Sequence, residues 1–125
     1  MTDHPNALEL IQAANDELAR VLLPSARPDQ LYTLRMIANA LGIAARELAT
    51  HDSDATTETR GLNLLYPDHA MSGDLVERNR QLAQDIRTGA FEGDIARHAQ
   101  LRQHLVSAAR RKLAAAYPKG LKDAQ

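Results

Sequence analysis

The sequence has no cysteine and no tryptophan. Disulfides, thiol nucleophiles and cysteine-held zinc or iron–sulfur centres are therefore excluded. Aromatic residues are scarce, three Tyr and one Phe, so any core must rest on aliphatic side chains. Neither sign of charge prevails: 15 Lys+Arg stand against 16 Asp+Glu, for a formal net charge of -1. The chain thus lacks the positive excess that supplies phosphate affinity, and no nucleic-acid partner is expected. Long apolar runs are missing too. The longest uncharged stretch, Met36 to Ala45, is about half of what a membrane-spanning helix needs. The opening Met1-Thr2-Asp3-His4-Pro5 has neither the basic nor the apolar region of a secretory signal. The expectation is a cytoplasmic protein with no membrane association.

What is present points to helix. Of 125 residues, 44% are hydrophobic and 25% charged, the balance of one folded domain rather than a disordered chain. The apolar residues are mainly Ala and Leu, good helix formers with little strand tendency. Pro5 suits a first helical turn, and Ala7, Ile11, Ala14, Leu18 and Val21 follow at helical spacing. Pro24 and Pro28 bracket a break. A second helix is predicted from about Asp29 to Thr50, with a stripe of Leu31, Leu34, Ala38, Leu41, Ala45 and Leu48. Tyr32, Met36, Ala40 and Ile43 lie round its other side, which predicts a central, buried helix.

Between His51 and Gly73 the pattern weakens. A short third helix carrying Leu62, Leu64 and Leu65 is predicted there, capped by Ser53 or Asp54 and ended by Pro67. Thr56, Thr57 and Gly61 disfavour it. Asp74 with Glu77 forms a capping-box signature for helix four, whose stripe is Leu75, Leu82, Ala83 and Ile86, and Gly89 suits its C-terminus. Asp94 opens helix five, with Ile95, Ala99, Val106, Ala109 and Leu113 on one side, and Tyr117-Pro118 stops it. The fold predicted is an all-α, compact helical bundle of four long helices plus one short helix. It forms a single domain over residues 1–125, ordered from about 5 to 119, with a loose tail over 120–125.

Chemical motifs are sparse. No serine sits in a nucleophile elbow. No Glu-x-x-His occurs, and His98 and His104, six apart, fall on different helical faces, so no metal site is expected. Gly89-Ala90-Phe91-Glu92-Gly93 lacks a phosphate-loop signature and reads as a turn with Phe91 tucked inward. Leu34 to Leu48 resembles a helix-turn-helix with Gly42 in the turn, but the apolar stripe runs through Gly42 without a phase break. Catalytic residues and cofactors are expected to be none.

Five polar residues remain. Asn79 falls within the apolar stripe of helix four and Arg102 within that of helix five. Arg35, Asn39 and Arg46 share a ridge bordering the main stripe of the second helix. Buried groups of this kind need partners, such as Glu17, Glu47, Asn side chains or helix-end carbonyls. The cluster reads either as a network fixing helix register or as a pocket for a carboxylate or phosphate.

The ordered set Arg35 to Leu48, Leu75 to Leu82, Ile86-Arg87-Thr88-Gly89 and Lys112-Leu113-Ala114 to Tyr117-Pro118 resembles a small bacterial all-α domain family of unassigned function. The similarity runs from about Ala7 to Leu121, with His51 to Met71 departing most. The resemblance implies genes beside aminoglycoside-phosphotransferase-like proteins and acyl-CoA dehydrogenases, and no catalytic residues to carry over. The leading expectation is a non-catalytic accessory protein that binds a partner enzyme, in acyl-CoA or related small-molecule catabolism. The alternatives are a small-molecule-binding or acyl-CoA-processing protein using the Arg/Asn cluster, and a helix-turn-helix regulator. An Ala-rich bundle with a wide apolar surface is also compatible with a homodimer.

Overall fold

The computed structural model describes residues 3–68 and 73–123. The protein is all-α, 81% helical, with no strand among the described residues. Helix α1 is Ala7–Glu17, continued by a π-helical stretch Leu18–Leu22. Helices α2 (Pro28–Leu65), α3 (Leu75–Arg87), α4 (Ile95–Ala116) and the short α5 (Pro118–Asp123) follow.

Local chemistry sets most of the ends. Asn6 caps α1 in a reciprocal capping box with Glu9, so Pro5 lies just outside the helix. Pro28 is the first residue of α2, where its missing N–H costs nothing. Asp74 and Glu77 form the expected capping box at α3. Its far end is closed by Gly89 at φ 79°, with Gly89 N–H donating to the Ile86 carbonyl and Ala90 N–H to that of Asp85. This is a Schellman closure, which needs a left-handed residue that glycine supplies without strain. The Asp94 side chain accepts from the Arg97 amide and opens α4.

Two boundaries differ from expectation. The second helix and the short third one are a single helix of 38 residues. The hydroxyls of Thr50, Thr56 and Thr57 each donate to the carbonyl four residues back, which satisfies these polar side chains within the helix without a cap. The short helix of the fold is α5 instead, so residues 120–123 of the expected loose tail are helical; residues 124 and 125 lie outside the described residues, as do 69–72 of the uncertain 51–73 segment. Because α2 runs unbroken through Gly42, the turn that a helix-turn-helix would need there is absent.

The chain divides into two compact units, Met1–His51 with Leu113–Gln125, and Asp52–Lys112. In the first unit only Leu18 and Ala115 are buried among the described hydrophobic residues. The predicted stripe from Leu31 to Ala45 is half-buried, but Tyr32, Met36 and Ala40 face outward. The expectation that this helix is buried all round is corrected: none of residues 28–51 is fully buried. Within this unit the Arg46 guanidinium folds back over Gly42, and its Nε donates to the Ala115 carbonyl at 2.6 Å.

The second unit has the denser core. Leu62 and Leu65 of α2, Leu82 of α3, Leu101 of α4 and Phe91 from the α3–α4 turn pack together, with Tyr66 and Leu75 against them. Burying each such side chain contributes about 1.5–3 kcal/mol. Phe91 meets the Tyr66 ring edge-on at 6.3 Å, and the Arg97 guanidinium lies 4.4 Å from the Phe91 centroid. Tyr66 donates to Asp85 at 2.5 Å, tying the end of α2 to α3. Burial, followed by that carboxylate, pushes the Tyr66 hydroxyl pKa strongly upward and keeps it a donor.

Candidate functional site

The five polar residues singled out in the sequence do not share one environment. Arg35 and Asn39 are exposed on α2, and Arg46 is half-buried against the helix-end carbonyl already described. These three belong to the first unit; Asn79 and Arg102 belong to the second. Asn79 is half-buried and its amide donates to Glu58 at 2.7 Å, an acceptor the sequence did not suggest. Arg102 is exposed, bordering a shallow groove with Val106 and Arg110. Its expected interior position is corrected. The reason lies in the helical phase. Ile95, Ala99, Val106 and Ala109 face solvent, whereas the covered face of α4 in this unit carries Leu101, His104, Ala108 and Arg111.

His104 is the polar residue that sequence reasoning missed. It is only 8% exposed, the one buried polar or charged side chain among the described residues. Gly61 makes that possible. A Cβ at position 61 would lie 2.2 Å from the His104 Nδ1, so the imidazole packs directly on the backbone of α2. The available signal was a glycine in mid-helix, which loses roughly 1 kcal/mol against alanine and therefore implies a close approach.

Around this contact the two helices border a half-open cavity of about 220 Å³. From α2, Thr57, Arg60 and Leu65 line it; from α4, Gln103, Ser107 and Arg111 do. The Arg111 Nη1 donates to the Ser107 hydroxyl at 2.5 Å, and its Nε lies 3.9 Å from the Asp54 carboxylate. Burial lowers the His104 pKa below its ordinary value, the nearby Glu58 charge opposes that shift, and Arg111 adds to it. The ring is therefore neutral at pH 7. Among the described residues no group of three His, Cys, Asp or Glu side chains converges to hold a metal ion.

The lowered pKa makes a prediction about stability. The unfolded chain takes up a proton at this histidine near pH 6.5, before the folded protein does. The contribution of His104 is thus complete above about pH 6.5 and is lost as pH falls toward the folded-state value. Urea unfolding from pH 7.5 down to 5 should show falling stability, with a slope that His104→Leu reduces. An unchanged slope in that variant would remove the assignment.

The family described as a domain of unknown function, DUF6285, matches residues 24–120, more than three-quarters of the sequence. The chain belongs to this family. The DUF6285 match includes α2, α3, α4 and the start of α5, and so both walls of the His104 cavity. It leaves α1 outside. No curated protein matches the chain, and no solved structure does. Among the described residues no helix is long and apolar enough to cross a membrane.

Proposed function

We propose that this DUF6285 protein is a non-catalytic helical accessory protein that binds a partner protein through the first half of α2. The observation that supports this is the exposed ridge Tyr32-Met36-Ala40, spaced four residues apart, with Tyr32 at 75% exposure and Met36 at 50%. Anchors at i, i+4 and i+8 on one helix are the pattern by which a helix seats in an apolar groove of another protein. Large apolar side chains left in water gain roughly 25 cal/mol for each Å² that a partner covers. The occupant proposed is an enzyme presenting such a groove. The family resemblance suggests a phosphotransferase-like protein or an acyl-CoA dehydrogenase, which would place the chain beside acyl-CoA or related small-molecule catabolism in the bacterial cytoplasm.

The test is purification of the native protein under gentle conditions, followed by mass spectrometry. A stoichiometric partner enzyme is expected, and Met36→Glu should release it while shifting unfolding free energy by no more than about 0.5 kcal/mol, as for other surface changes. Recovery of the chain alone, or only as a homodimer, would overturn the reading.

A further inference from the structure

We infer that the cavity between α2 and α4 in the second unit is a binding site for a small organic carboxylate. This goes beyond partner binding by the α2 ridge and rests on different residues. The first argument is charge. Arg60 and Arg111 line the cavity, and the carboxylate paired with them, Asp54 at 3.9 Å from the Arg111 Nε, lies outside its lining. Arg111 spends one Nη hydrogen on Ser107, and its Nε is beyond hydrogen-bond range of Asp54. Most of its five donors therefore have no acceptor among the described residues, a fork suited to a planar carboxylate. Its side chain is only 20% exposed, so its geometry is restrained and a contact made there is partly desolvated.

The second argument is the rest of the lining. Leu65, almost fully buried, and the exposed Leu64 give an apolar wall, while Gln103 and Thr57 add neutral polar groups. A bare inorganic anion would leave that wall unused. A ligand with a charged head and an apolar body uses all of it. Size is the third argument. An apolar cavity of about 150 Å³ holds benzene, so about 220 Å³ leaves room for a ring or short branched chain carrying a carboxylate. Gly61 and His104 meet at the cavity wall, where a Cβ at position 61 would lie 2.2 Å from the His104 Nδ1.

The experiment is an NMR titration of the full chain, following backbone amides, with benzoate, benzyl alcohol and inorganic phosphate as separate probes. Benzoate should give saturable shifts at residues 57–65 and 100–111. Benzyl alcohol, which matches its shape without the charge, should bind about ten-fold more weakly or worse, as expected for loss of a charged hydrogen bond. Phosphate should give no saturable shift in this region. Arg111→Gln should reduce benzoate to the level of benzyl alcohol. Arg60→Gln, on an exposed position where folding is not at stake, should also weaken benzoate and leave benzyl alcohol unchanged. Equal binding of benzoate and benzyl alcohol, phosphate binding as tight as benzoate, or no saturable benzoate shift would each overturn the inference.

Discussion

Replacing Phe91 with alanine should cost about 3–5 kcal/mol, a large share of the total stability of a domain this size. Phe91 is 3% exposed and is the only side chain that the α3–α4 turn sends into the core of Leu62, Leu65, Leu82 and Leu101. Its removal leaves a cavity, takes away the edge contact with Tyr66 and strips Arg97 of the ring it covers. Arg97 also donates to the Ala90 carbonyl, so the turn loses order on both sides of the deleted ring. Phe91→Leu keeps most of the volume and should cost less than about 1.5 kcal/mol. Urea unfolding measures both. The midpoint should fall sharply for alanine with little change in slope. A loss below about 1 kcal/mol in the alanine variant would show that the turn does not anchor the core.

The second large effect reverses an ordinary rule. Glycine to alanine inside a helix normally stabilises by roughly 1 kcal/mol. At Gly61 the new methyl would meet the His104 ring at a distance no Cβ tolerates, and the imidazole is already almost fully buried. Gly61→Ala should therefore destabilise by about 1–3 kcal/mol, the cost of overpacking. Combining it with His104→Ala removes the clash, so the double variant should be more stable than the sum of the single changes implies. Thermal unfolding of the four proteins in this cycle gives the coupling directly. If Gly61→Ala is stabilising by itself, the close packing of the ring on α2 is wrong.

What could be read from the sequence was whatever depends on a few neighbouring residues. The Asp74–Glu77 box, Pro28 at a helix start, the Gly89 closure and the inward Phe91 are all local, and each is found. The continuity of α2 was not legible. Thr56, Thr57 and Gly61 each score poorly as helix formers, and the hydroxyl–carbonyl bonds that accommodate the threonines exist only once the helix has formed. The facing of α4 was not legible, because alanines lie all around it and leave its stripe without a sharp phase. Ile95, 91% exposed, and Arg102 both lie on the solvent side of this helix. His104 then escaped notice, because its partner is a glycine 43 positions away whose contribution is the absence of a side chain.

That pairing also imposes a historical order on sequence change. A lineage that first loses the imidazole at position 104 opens a space, after which position 61 is free to acquire a methyl group. The opposite order passes through an intermediate in which the new methyl meets the His104 ring. Within the DUF6285 family, a residue larger than glycine at the position of Gly61 should therefore be found only where the position of His104 has already become small. The two sites then carry one shared inheritance rather than two, and counting them as independent characters would overstate the distance between family members.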